Sequence, residues 1–222
     1  MSNSMTNIIY TLIYSVPATL IAIILHEVAH ALVSYWCGDK GVRADGRLSL
    51  NPLKHLDLMG TICLICFHFG WAKPVRVNTR NYKHKKLDFC LVALAGPVMN
   101  FIVAFISVCL MYLVTKYSSG SAVASYFYFL FYYIAALNIG LGVFNLIPIP
   151  PLDGSNVLLT FLPDQASRFF AKYRNYFMIG MMILLYFGAF SNVLAVIQQG
   201  MMNGMCQMVL KLFGHTVTGG YV

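Results

Sequence analysis

The chain has 222 residues, 59% of them hydrophobic and 10% charged, with a mean hydropathy of +0.71 and a formal net charge of +8. A soluble domain carries about 25% charged residues, so this composition excludes a water-soluble fold and describes a single polytopic membrane domain over residues 1–222. The basic residues flank apolar runs and no base-stacking motif accompanies them, which argues against a nucleic-acid partner and for the lipid bilayer and its anionic surface.

The first element is a helix from about Ile8 to Trp36, long enough to cross a hydrocarbon core that needs about 20 residues. Residues 1–7 carry no basic side chain, so the run does not follow the plan of a cleaved signal peptide and is expected to be retained. Pro17 can kink it, and Gly38 and Gly41 are expected to end it. Within it lies Leu25-His26-Glu27-Val28-Ala29-His30. Four residues make just over one helical turn, so His26 and His30 project from one face. Two imidazoles at that spacing can hold one Zn²⁺, with Glu27 beside them as the base that activates the water it binds. Glu27 is the only glutamate in the chain, and an ionisable group inside an apolar span is costly and usually functional. His26 lies roughly 18 residues, about 27 Å, from the helix start, which sets the site toward the far side of the membrane but below its surface.

Val42 to Leu50 alternates imperfectly around Asp45-Gly46, and a small β-hairpin is expected there at the membrane interface. In Asn51-Pro52-Leu53-Lys54-His55-Leu56-Asp57, the pair His55 and Asp57 is read as structural. Leu58 to Phe69 is apolar but only about 12 residues long, the length of a re-entrant segment. Gly70-Trp71-Ala72-Lys73-Pro74-Val75 breaks it, with Trp71 at an interface and His68 read as a packed histidine. Residues 73–86 hold Lys73, Arg76, Arg80, Lys83, Lys85 and Lys86 and no acid, which makes this loop cytoplasmic.

Phe89–Tyr117 and Ala122–Phe144 are the next spans. They lead to Asn145-Leu146-Ile147-Pro148-Ile149-Pro150-Pro151-Leu152-Asp153-Gly154, where three prolines in four residues cannot continue a helix. Non-helical backbone at membrane depth is tolerated only beside protein or a wet cavity, and an acid placed there is a candidate site residue. Residues 163–174, with Arg168, Lys172 and Arg174, read as an interfacial amphipathic stretch. Tyr176–Phe190 and Val193–Phe213 are the last apolar runs, the final one interrupted by Gly200, Asn203 and Gly204. The expected architecture is all-α, with about five to six membrane segments, a core over about 8–160 and C-terminal helices over about 165–213. The six cysteines lie mostly in apolar runs and are read as small buried hydrophobes, Cys63 and Cys66 included.

With the N-terminus outside and the half-span returning to its own side, all of the fifteen Lys and Arg residues except Lys116 are cytoplasmic. That topology also brings His26, His30 and Asp153 toward the cytoplasmic face. A catalytic zinc takes three protein ligands and leaves one position open for water. The third ligand must be a His, Asp, Glu or Cys at the depth of the first two, and Asp153 is the best candidate.

At these residues the chain resembles the site-2 protease family of intramembrane zinc metalloproteases, in its short bacterial-type branch. The resemblance rests on His26-Glu27-Val28-Ala29-His30 and Pro151-Leu152-Asp153-Gly154. Asn51 to Asp57, Gly70 to Val75 and Ala95-Gly96-Pro97-Val98-Met99-Asn100 match as well, all in the family order over about residues 20–160. The family implies one zinc held by His26, His30 and Asp153, Glu27 as general base, and Asn100 near the active site, stabilising the oxyanion or positioning substrate. It implies membrane-protein substrates cut in or near their spanning segments, and a bacterial-type cell membrane. The alternative is a non-proteolytic zinc-binding membrane protein or metal carrier. A carrier needs polar ligands spread across the span, whereas here they gather on one side.

Overall fold

The structure is a computed structural model that describes residues 2–57, 73, 78–118 and 121–213, with side chains of the first helix described from residue 12 onward. Among these residues the chain is helical and contains no sheet. Helix α1 runs over Ser2–Cys37 and is followed by a single turn, α2, Gly41–Ala44. Two 3₁₀ turns, Pro52–Lys54 and Thr79–Asn81, lie in the connection. Then come α3 (Lys85–Tyr117) and α4 (Ala122–Asn145). The remaining helices are α5 (Asp153–Phe161), α6 (Asp164–Lys172), α7 (Arg174–Tyr186) and α8 (Ser191–Leu212).

Among the described residues, four helices are long and apolar enough to cross a membrane: Leu12–Cys37 within α1, then α3, α4 and α8. The protein is therefore an integral membrane protein. Helix α7, at 13 residues, is only about 20 Å long, short of a core of about 30 Å. The half-span expected over Leu58–Phe69, with Cys63, Cys66 and His68, lies outside the described residues, as does Trp71.

The hairpin expected over Val42–Leu50 does not form. Its Asp-Gly pair closes a helical turn instead. Gly46 takes a φ of 68°, its N–H donates to the Arg43 carbonyl and the Arg47 N–H donates to the Val42 carbonyl, each at 3.0 Å. Those two bonds define a Schellman C-cap, a use of Asp-Gly that sequence alone does not separate from a hairpin turn. Gly38 ends α1 by the same device: its N–H reaches the Tyr35 carbonyl and the Asp39 N–H reaches that of Ser34. The buried Asp39 carboxylate then accepts from the backbone N–H of Gly41 at 3.0 Å and of Asn78 at 2.7 Å, fastening the end of α1 to the loop before α3.

The backbone divides into two compact units. In the first (residues 1–22, 100–143 and 191–222), α3, α4 and α8 pack around Ala104, Val108, Ala135, Ile139, Met202, Met205 and Val209. In lipid, helices gain nothing by hiding apolar surface from hydrocarbon, so close packing and interhelical hydrogen bonds hold them together. Gln198 supplies one such bond, its amide donating to the Ala136 carbonyl at 2.7 Å.

The second unit (residues 23–99 and 144–190) holds the C-terminal part of α1, the start of α3 and helices α5 to α7. Its connecting loop is tied down by the buried Arg47, whose guanidinium donates to the carbonyls of Lys54 at 2.8 Å and Lys73 at 3.2 Å. The buried His55 ring donates from Nε2 to the Ser49 carbonyl at 2.5 Å. The proline-rich stretch before Asp153 is non-helical. Asp153 itself is the first residue of α5, where the exposed N–H groups and the helix dipole favour a carboxylate.

Candidate metal centre

The second unit brings three of the expected site residues to one point. His26 and His30 face each other on α1 with Nε2 atoms 3.0 Å apart. The Asp153 Oδ2 atom lies 3.1 Å from His26 Nε2 and 3.2 Å from His30 Nε2. Both imidazoles are buried, and Asp153 is partly so. The contact joins residues 123 positions apart. Glu27 follows His26 directly and is half-buried. Asn100 is wholly buried on α3, four residues beyond Gly96. It belongs to the first unit and is not one of the three residues that converge.

The ring orientation is set from outside the triangle. His30 Nδ1 donates to the Val92 carbonyl of α3 at 2.6 Å. A neutral imidazole that donates from Nδ1 presents a lone pair at Nε2, so the nitrogen pointing inward is a ligand atom. Hydrogen bonds of this kind fix the tautomer of metal-binding histidines.

Geometry and chemistry both fit a zinc ion. Ligand bonds of about 2.0–2.1 Å give a tetrahedron whose edge is about 3.3 Å, and the three edges here are 3.0, 3.1 and 3.2 Å. Two imidazole nitrogens and one carboxylate oxygen form a common zinc donor set that leaves a fourth position open. Gly96 completes the cradle. A Cβ at this position of α3 would lie 2.7 Å from His26 Nε2 and collide with His30 Nε2. Only a glycine lets α3 press its backbone against both ligand rings. A second close approach sets the carboxylate. A Cβ on Gly154 would meet the Ile147 carbonyl oxygen at 2.7 Å and collide with that of Leu146, so the residue after Asp153 lets the start of α5 sit against the end of α4.

Gly96 and the Val92 carbonyl were not singled out by motif reasoning. A signal for Gly96 was present: glycine next to proline inside a spanning helix is costly there unless something approaches closely. A backbone carbonyl leaves no signal in a sequence.

A bundle of membrane-crossing helices that carries H-E-x-x-H on one helix and closes an aspartate from a proline-rich turn onto its two histidines defines a membrane metalloprotease. Comparison with known proteins narrows the class. The sequence model of peptidase family M50 matches residues 113–187, a span that includes Asp153. YwhC of Bacillus subtilis (strain 168), which bears the name of a zinc metalloprotease, is 37% identical over 202 residues, covering 90% of this chain and 90% of the relative. Rip2 of Mycolicibacterium smegmatis (strain ATCC 700084 / mc(2)155), named likewise, is 31% identical over 170 residues, covering 75% of this chain and 64% of the relative. Rip2 of Mycobacterium tuberculosis (strain ATCC 25618 / H37Rv) is 27% identical over 169 residues, covering 74% of this chain. It is matched over 63% of its own length, so the chain spans just under two thirds of either mycobacterial relative. No solved structure matches the chain. The chain belongs to peptidase family M50, the site-2 protease family, and is a zinc metalloprotease.

Proposed function

We propose that the protein is an intramembrane endopeptidase that hydrolyses peptide bonds in or near the spanning segments of other membrane proteins. In this reading His26, His30 and Asp153 hold one zinc ion and Glu27 is the general base. The observation that carries it is the meeting of His26 Nε2, His30 Nε2 and Asp153 Oδ2 within 3.0–3.2 Å of one another, with both histidines on a helix long enough to cross a bilayer. Zinc bound there supplies Lewis acidity, which lowers the pKa of water toward about 7. Glu27 takes the proton from the attacking water and delivers it to the departing amine nitrogen. Val92, through its carbonyl, keeps the His30 ring in the ligand tautomer during turnover. Asn100 is assigned to the oxyanion or to substrate positioning by family resemblance. A substrate helix must unwind locally before cleavage, because its own hydrogen bonds occupy and shield the scissile carbonyl. The active site faces the cytoplasmic side, as the distribution of Lys and Arg supports.

The test compares membrane-protein fragments in cells that produce wild-type or Glu27→Gln protein. The variant is expected to keep its zinc and to lose cleavage by a factor of about 10² to 10⁴. Cleavage at the wild-type rate in that variant removes Glu27 as the base. Zinc transport into vesicles with no proteolysis in either protein would replace the endopeptidase reading by that of a carrier.

A further inference from the structure

Helix α8 has two sides of opposite character. One side is packed: Met202, Met205 and Val209 are buried, and Gln198 donates to the Ala136 carbonyl. At about 100° per residue, Gln199, Gly200, Asn203, Gly204 and Gln207 fall together on the other side. Gln199, Gly200, Asn203 and Gln207 are exposed. A Cβ added to Gly200 or Gly204 would meet nothing within 4 Å. The 22 residues of α8 span about 33 Å, with the three amides about 12, 18 and 24 Å along it, so they lie in the hydrocarbon. Their side chains make no hydrogen bond among the described residues. An amide carried from water into an apolar medium without a partner is strongly disfavoured. A lipid-facing surface of this kind calls for another polar helix.

We propose that this face pairs with α8 of a second copy of the chain, forming a parallel homodimer through Gln199, Gly200, Asn203, Gly204 and Gln207. All copies insert in the same orientation, so two α8 helices can meet only in parallel, about an axis normal to the membrane. Each residue on that axis then faces its own counterpart. A side-chain amide carries both donors and an acceptor, so Asn203 is complementary to Asn203 of the other copy, as are the two glutamines. Gly200-Met201-Met202-Asn203-Gly204 is a small-xxx-small spacing that lets two helix backbones approach closely. An arbitrary spanning segment offers neither the amides nor the glycines in register, whereas a second copy offers both. Lys211 lies in the last turn of α8, where its long side chain can carry the ammonium to the membrane surface.

The test uses full-length protein. Populations carrying donor and acceptor fluorophores are reconstituted together in phosphatidylcholine vesicles, and energy transfer is followed as lipid dilutes the protein. Wild-type protein is expected to show transfer above the level of random encounter. Asn203→Leu and Gly200→Ile should each raise the apparent dissociation constant by roughly five- to thirtyfold. Asn203→Gln, which keeps the amide, should pair within about twofold of wild type. Leu212→Ala, exposed on α8 and about 180° round the helix from Asn203, should not change it. Zinc content measured on every variant separates loss of pairing from loss of fold, and among the described residues Gly200 and Asn203 are exposed. The proposal is overturned if wild-type transfer equals random encounter, if transfer survives both Asn203→Leu and Gly200→Ile, or if Leu212→Ala abolishes it equally.

Discussion

Gly96→Ala tests the metal centre without touching a ligand. The added methyl would lie 2.7 Å from His26 Nε2, against an ordinary contact distance of at least 3.4 Å, so that nitrogen must retreat by about 0.7 Å, and His30 Nε2 by more. Zinc sites hold their ligand distances to within about 0.2 Å, so the required shift is more than three times the tolerance. Moving α3 away instead would stretch the bond from His30 Nδ1 to the Val92 carbonyl, now 2.6 Å. Overpacking of this kind costs typically about 1–3 kcal/mol, equivalent to roughly a 5- to 150-fold loss of zinc affinity. Without the ion the imidazoles can turn aside, so the cost falls on binding more than on folding. The assay is competition for zinc with a chelator of known affinity, alongside far-ultraviolet circular dichroism. The expected result is weaker zinc binding at unchanged helicity. Wild-type zinc affinity in Gly96→Ala would refute the claim that α3 closes the cradle.

Three further outcomes follow from the same geometry. Stripping zinc with a chelator should lower the thermal midpoint, since free zinc at 100 times its dissociation constant stabilises the bound state by about 2.7 kcal/mol, or roughly 5–10 °C for a chain of this size; re-addition of zinc should restore it, and an unchanged midpoint would mean that the ion does not bridge α1 and α5. Gly154→Ala meets two backbone carbonyls, which move less readily than side chains, and should reduce zinc affinity about tenfold by displacing Asp153; equal affinity measured by chelator competition would show that the carboxylate does not depend on that contact. Arg47→Met orphans the Lys54 and Lys73 carbonyls and should cost about 2 kcal/mol, seen as a midpoint about 4–8 °C lower with zinc affinity unchanged; an unchanged midpoint would show that the guanidinium does not hold the loop.

The chain by itself determined what depends on neighbours in sequence. Hydropathy marked the crossing helices because a bilayer demands a long apolar run wherever one occurs. The spacing of His26 and His30 put both rings on one face because the helical repeat is local. The prolines from Pro148 to Pro151 announced a break because each lacks an N–H and fixes its own φ. Local chemistry was ambiguous where one pair of residues serves two geometries: Asp45-Gly46 suits a hairpin turn and a helix cap equally, and the choice went to the cap, whose glycine N–H and following N–H both found carbonyls in the preceding turn. Of the apolar run Tyr176–Phe190, the helix takes the part up to Tyr186 and begins two residues earlier, at Arg174.

Tertiary structure alone decided how residues far apart in the chain meet. Asp153 reaches the imidazoles across 123 positions because α5 starts against the end of α4, an approach that Gly154 permits. Gly96 is a site residue through what it lacks, and the Val92 carbonyl orients His30 through an atom that every residue possesses. A glycine beside a proline in a spanning helix signals that something comes close but not what, and a backbone oxygen leaves no signal at all; each acquires its role only when α3 is laid against α1.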